Sequence, residues 1–252
     1  MNTHSRASKI LQICAIALFS TSAMATSINL SPWVSNGTGN WRTATDNLSV
    51  TQTKNQHPTV FINNQDSQGY QYSADIRVNT TSDDDYIGFV LGYDNGDLTN
   101  NSADYLLIDW KQGNQNYAGG TGTTGLAVSR VSGALGTGHS SGAWWHDATD
   151  GVTELQRATN LGNTGWADKT TYSFDLFFTS TLVEVFVNGV KELSISGLFD
   201  NGSFGFYNYS QGNVTYAATD VSAVPIPAAL FLFGPALLGG LAFRRKAQST
   251  AS

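Results

Sequence analysis

Asp83, Asp84 and Asp85 stand in a row at the start of "DDDYIGFVLGYDNGD", and Asp94, Asn95 and Asp97 close the same stretch. Carboxylate and carboxamide oxygens grouped in this way suit a hard divalent cation, and calcium takes about six to eight oxygen ligands. Asp83, Asp84, Asp85, Asp94 and Asp97 are therefore the candidate metal ligands, and calcium the candidate cofactor. The same residue types also serve plain solvated turns, because Asp and Asn side chains bond the backbone two residues on. "DNGD" is too short for an EF-hand loop.

A second cluster is Trp144, Trp145 and His146. Aromatic faces give sugar rings a platform, so these three are the candidate ligand-binding residues; packing into the core is the competing use of the indoles, and burial is the expectation for Trp110 and Trp166. His146 adjoins Asp147, but no serine nucleophile motif accompanies the pair. His57, His139 and His146 lack the spacing of a helical zinc motif. A glycoside hydrolase needs two carboxylates about 5 to 9.5 Å apart across the scissile bond. Glu154, Glu184 and Glu192 are the only glutamates, no E-x-D-x-x-E strand motif occurs, and Glu184 and Glu192 flank a turn where charges usually face water. No catalytic residue is assigned.

Charge narrows the partners. Eight of the 13 basic residues lie between Thr26 and Ala223 with all 19 acids. An acidic surface of this kind repels phosphate backbones, which excludes nucleic acid as a partner.

The elements that must position these residues read as strands. Short β-rich runs recur between Gly, Asn, Asp and Ser clusters, and no long segment carries a 3.6-residue apolar period. In "DDDYIGFVLGYDNG" alternation puts Ile87, Phe89, Leu91 and Tyr93 on one face and Gly88, Val90 and Gly92 on the other. "YLLIDWKQ" divides Leu106, Ile108 and Trp110 from Tyr105, Leu107 and Asp109. Asn188-Gly189 between "LVEVFV" and "VKELSI" predicts a type I′ hairpin turn. Residues 113–125 and 133–142 read as glycine-rich loops too long for tight hairpins. Many short strands without helices predict an all-β, two-sheet sandwich.

Six stretches in order, "DDDYIGFVLGY", "YLLIDWKQGNQNY", "GLAVSRV", "WHDATDGVTEL", "NTGWADKTTYSF" and "FGFYNYSQGNVTY", resemble the C-terminal lectin-like domain of thrombospondins. The resemblance spans about Asp83 to Ala223. It implies a concanavalin-like jelly roll, calcium-associated and used outside the cell in adhesion rather than catalysis, with Asp83 to Asp85 matching the family's acidic motif. That family carries a cysteine where Asn208 stands and another near Ala223, so its late disulfide has no counterpart. Residues 26–82 are expected to join the same domain, 26–223, because the first and last strands of such sandwiches commonly pair.

The two ends carry address signals. Arg6 and Lys9 precede an apolar run from Ile10 to Phe19 and then Ala23-Met24-Ala25, which predicts a secretory signal over 1–25 cleaved after Ala25. The single cysteine, Cys14, lies inside it, so the mature chain would hold no thiol. Ile226 to Phe243 carries no charge and, at 1.5 Å per helical residue, predicts one transmembrane helix of about 27 Å, with Arg244, Arg245 and Lys246 on the cytoplasmic side. The order "VPIPA", apolar helix and basic cluster resembles the PEP-CTERM sorting tails in their Val-Pro-Leu-Pro-Ala variant. The resemblance implies an exosortase-type enzyme as processing partner, a transient stay in the inner membrane, and final placement at a bacterial cell surface or matrix. Val224, Pro225, Ile226, Pro227, Arg244, Arg245 and Lys246 carry that motif within a tail over 224–252.

Two functional readings stay open from sequence: a binding module for an extracellular polysaccharide or protein, and a matrix or self-association module without a specific ligand. Selective binding separates them.

Overall fold

The computed structural model describes residues 27–117 and 119–224. The signal segment 1–25 and the tail from Pro225 through Ile226, Pro227, Arg244, Arg245 and Lys246 lie outside the described residues. No helix among the described residues is long and apolar enough to cross a membrane.

In chain order the strands are β1 (Val34–Gly37), β2 (Trp41–Thr43), β3 (Val50–Gln52), β4 (Thr59–Ile62), β5 (Tyr70–Val78), β6 (Tyr86–Tyr93), β7 (Asp104–Lys111), β8 (Gln115–Tyr117), β9 (Gly120–Gly122) and β10 (Gly125–Ser132). A one-turn helix α1 (Ser141–Trp145) follows, then β11 (Val152–Arg157), β12 (Thr171–Phe178), β13 (Leu182–Val187), β14 (Val190–Ser196), β15 (Ser203–Tyr209) and β16 (Val214–Ala223). They form two seven-stranded antiparallel sheets, β1-β4-β15-β6-β7-β10-β11 and β14-β13-β12-β5-β16-β3-β2. The expected sandwich is present. The early segment contributes strands to both sheets: β1 and β4 enter the first, and Val50–Gln52 pairs with Val214–Tyr216 of the last strand.

Between the sheets lies the main core. Ile87, Phe89 and Leu91 from β6 and Leu106, Ile108 and Trp110 from β7 face Phe174, Leu176 and Phe178 from β12. Apolar alternation sets this face, because successive strand side chains point to opposite sides. Trp110 and Trp166 are buried as expected. The Asn188-Gly189 turn has φ of 51° and 78°, the paired positive values that the sequence predicts.

Three expectations need correction. Tyr93 does not share the inward face with Leu91 but joins Tyr86, Val90 and Tyr105 on the other side. A bulge is the cause: Ser203 pairs with Tyr93 and Phe204 with Leu91, so Gly92 (φ 72°) is an extra residue that slips the alternation. Glu192 is likewise an extra residue, between Lys191 opposite Phe186 and Leu193 opposite Val185. It is buried, not water-facing, and accepts hydrogen bonds from the backbone N–H groups of Asn160 (2.8 Å) and Leu161 (3.1 Å). Finally, the first stretch expected as a loop holds the β8–β9 ribbon, and α1 begins at the end of the second.

A second core covers the outer face of the first sheet. Leu135, Ala143, Trp144 and Val152 close over Tyr86, Val90, Tyr105, Leu107, Val131, Tyr207 and Tyr209. This third layer buries polar residues of β7 that alternation alone would send to solvent.

Candidate functional site

β5 rises to the turn holding Asp83, and β6 runs back from Asp85. At this pole the ends of β3, β7 and β15 also arrive, so residues 53–57, 111–117 and 209–213 gather around the acidic turn.

Asp83, Asp84 and Asp85 can each bring one carboxylate oxygen within 4.8 Å of the others. Burial, then repulsion by Asp85, pushes the Asp83 carboxyl up to about 6. Its Oδ2 accepts from the Asn55 side-chain amide. The buried Asp85 carboxylate meets the Lys111 ammonium at 2.6 Å, and Asp84 Oδ1 lies 3.4 Å from it. The same ammonium donates to Gln115 Oε1 at 3.0 Å and lies 4.9 Å from the Trp144 ring centre. Lys111 thus supplies one positive charge for three carboxylates. The surplus negative charge concentrates on Asp83 and Asp84, which fits a divalent cation there. Lys111 itself is a site residue that sequence reading missed: "DWKQ" gives no sign that its cation is buried.

Asp94 and Asp97 lie at the far end of β6, an eight-residue strand about 25 Å long. The five acidic residues therefore form two separate groups. Asp97 is already used in its turn: Oδ2 accepts from the Asp94 N–H at 2.8 Å and Oδ1 from the Asn100 amide at 2.9 Å. Burial and repulsion from Asp97, Asp66 and Asp200 raise the Asp94 carboxyl above its ordinary range.

Trp144, Trp145 and His146 come together but present no common platform. Trp144 is buried, its carbonyl accepting from the Tyr86 hydroxyl. Trp145 lies against Gly120, where an added Cβ would meet the indole at 2.2 Å; only glycine lets the ribbon approach this closely. His146 is turned inward at φ 55°, with Nδ1 2.7 Å from Glu154 and Nε2 3.1 Å from Asp109. Burial works against its charge, but Asp109 and Glu154 outweigh this and lift the imidazole to about 9. Both ring nitrogens are spent on carboxylates, so His146 ties α1 to β7 and β11 and has no ring nitrogen left to offer.

Beside the acidic turn opens a cleft of about 290 Å³, lined by Asn55, Gln115, Tyr117, His139, Trp144 and Tyr209 among others. Sequence reading identified Trp144 but missed Gln115, Tyr117, His139 and Tyr209, which come from separate elements with no shared motif. Asn55 joins the two features, donating to Asp83 and accepting from Ser210 Oγ at 3.0 Å. The three glutamates are engaged elsewhere: Glu154 with His146 and Arg157, Glu184 with Lys191, and Glu192 with the Asn160 turn.

The last described residue, Val224, donates its N–H to Gly69 O at 2.8 Å at the pole opposite the acidic turn, where Ala223 pairs with Tyr70. Val224 thus lies at the end of the sandwich away from the cleft.

A family model described as the thrombospondin C-terminal region matches residues 36–224. Thrombospondin-4 of Xenopus laevis is 27% identical over 194 residues, covering 71% of this chain and 20% of the relative. Thrombospondin-2 of Gallus gallus is 29% identical over 195 residues, covering 71% of this chain and 16% of the relative. The match therefore spans about a fifth or less of those proteins. Among solved structures, the carbohydrate binding module CBM66 from Bacillus subtilis superposes with TM-score 0.52 at 8% identity, covering 77% of this chain and 98% of that one. The VIP36 exoplasmic/lumenal domain in its Ca²⁺/Man-bound form gives 0.51 at 13% identity, covering 77% and 84%. At such identities these two show a shared lectin-like fold.

Proposed function

The chain belongs to the thrombospondin C-terminal family, and from that premise we propose an exported adhesion module that binds an extracellular polysaccharide or protein with calcium held at the acidic turn. The observation that carries this reading is the convergence, at one pole, of three carboxylates with a single internal cation and a polar, aromatic cleft. Asp83 and Asp84 would hold the ion, with Asp85 shared with Lys111; calcium would supply charge neutralisation that fixes the turn beside Asn55. Asp94 and Asp97 are left out of this site because of their distance. A solved lectin-like domain of the same fold is a Ca²⁺/Man-bound form, which supports calcium and a glycan together.

The tail completes the proposal. The segment beginning at Val224 acts as a sorting tail that an exosortase-type enzyme processes, after a stay in the inner membrane through residues 226–243. Exit at the pole opposite the cleft suits this, because a tethered domain would present the cleft outward. The address is the cell surface or extracellular matrix.

Calcium titration of the full chain with thermal melting tests the reading. A folded-state ligand at a hundredfold excess over Kd stabilises by about 2.7 kcal/mol, a rise of about 5–10 °C for a domain of this size. The rise should vanish in Asp83→Asn/Asp84→Asn. No rise removes calcium from the proposal, and failure of the chain to attach selectively to any polysaccharide- or matrix-protein-coated surface would favour the matrix module without a specific ligand.

A further inference from the structure

The walls of the cleft beside the acidic turn hold hydrogen-bonding groups with spare capacity. Tyr117 is 49% exposed at the rim, with its ring 4.6 Å from His139 and 5.3 Å from Trp144 between centroids. Neither its hydroxyl nor the side chains of Gln56 and His57 has a hydrogen-bond partner among the described residues. Gln115 spends its Oε1 on Lys111, which leaves its amide N–H groups to donate. Tyr209 Oη accepts from the Ser140 N–H at 3.2 Å and can therefore donate to His139 Nδ1 at 2.8 Å, which leaves His139 with a free Nε2–H. Burial and the neighbouring His57 lower the His139 pKa, so the ring is neutral near pH 7.

The cleft is thus a ring surface surrounded by hydrogen-bond donors and acceptors, and its lining contains no Asp, Glu, Lys or Arg. Sugar hydroxyls both donate and accept, and a pyranose carries an apolar C–H face that lies on an aromatic ring. No Lys or Arg side chain lines the cleft to pair with a carboxylate or sulfate group of an anionic chain. Resting on the binding-module reading, we propose that this cleft is the ligand site and that it takes a neutral saccharide segment, with Tyr117 as platform and Gln115 and His139 as hydrogen-bond donors.

A second cleft of similar size, lined by Trp33, Tyr70 and Tyr72 at the opposite pole, provides the internal control. The full chain is applied, with calcium, to an array of neutral glucans, mannans and galactans and of uronic or sulfated chains. Neutral chains are expected to bind and anionic ones not. Tyr117→Ala and His139→Ala should each weaken binding about tenfold or more, while Tyr70→Ala leaves it unchanged and all three variants melt within a few degrees of the parent. Both rings sit at the surface, so loss of the fold is not expected, and Tyr117→Phe should retain most of the affinity if the platform is the ring. Loss in Tyr70→Ala alone moves the site to the other pole and overturns the proposal. A preference for anionic chains overturns the ligand class. Absence of all glycan binding, with calcium-dependent attachment to a matrix protein retained, overturns the saccharide site but leaves the binding module standing; absence of both removes both.

Discussion

The Lys111 ammonium lies 2.6 Å from the Asp85 carboxylate, and their side chains are 0% and 3% exposed. A buried pair at this distance persists only when further hydrogen bonds complete it. Lys111 has them in Gln115 Oε1 and the Asp84 carbonyl at 3.1 Å, and Asp85 N–H donates to Gln211 Oε1 at 3.0 Å. The pair ties the acidic turn to the cleft, because Gln115 and the Trp144 ring, which also meet Lys111, line it.

Removing the ammonium should therefore strengthen cation binding at the proposed site. Lys111→Met leaves Asp85 buried without its partner, and such a loss costs about 3–5 kcal/mol. Added calcium should recover more stability in this variant than in the parent, because the ion replaces the missing charge. Melting with and without calcium checks this. Equal calcium responses in parent and variant would show that the ion, if bound, sits away from Lys111.

The Asp83 carboxyl sets a pH dependence. Its folded value of about 6 lies above the ordinary 3.8, so the fold binds the extra proton. The stability gained is full below about 3.8 and is lost as pH rises through about 6. Asp83→Asn should abolish that loss, and the calcium-free variant should melt above the parent at about pH 7.5. Calcium acts in the opposite direction: its stabilisation of the parent should be large at about pH 7.5 and small at about pH 5, where Asp83 carries a proton. Paired melts at the two pH values read both effects.

These residues also show how much the sequence could disclose. Alternation in β6 and β7 was enough to place their side of the inter-sheet core, since a period of two needs no knowledge of partners. It failed at Tyr93 and Glu192, where one extra residue in the strand slips the period; nothing in the local sequence fixes a bulge whose register depends on the opposing strand. It failed again at Asp109 and Lys111, which alternate correctly to the outer face but are buried there beneath residues 133–152. The acidic turn was legible because its three carboxylates are consecutive. The cleft was not, because Gln115, Tyr117, His139 and Tyr209 meet only through the third layer.

That layer depends on His146. Its imidazole, held near 9 by Asp109 and Glu154 against the cost of burial, contributes stability that is full below about 6.5 and is lost as pH rises through about 9. His146→Ala leaves the buried Asp109 without its charge partner, at a cost of about 3–5 kcal/mol. Denaturant midpoints between about pH 6 and pH 10 should fall for the parent and remain flatter for the variant. A parent profile as flat as the variant's would mean that the imidazole is neutral in the fold.

Glu184 and Glu192 offer a comparison in which the chemistry is constant and the setting differs. Glu184 pairs with Lys191 at 2.6 Å, with side-chain exposures of 21% and 49%, and ion pairs this open to water contribute about 0–1 kcal/mol. Glu192 sits at the bulge and accepts the N–H groups of Asn160 and Leu161 together with the Asn160 amide at 3.2 Å. Its truncation removes these half-buried hydrogen bonds to a carboxylate, and bonds to a charged group contribute about 1.5–3 kcal/mol each. Glu192→Ala should therefore lower the unfolding free energy by about 2 kcal/mol or more, and Glu184→Ala by less than about 1 kcal/mol, both read from denaturant titration. Because the Asn160 turn also passes the Leu161 carbonyl to Leu126 N–H at 2.9 Å, the Glu192 variant should lose amide-exchange protection at Leu126 as well, where a purely local side-chain effect would leave it intact.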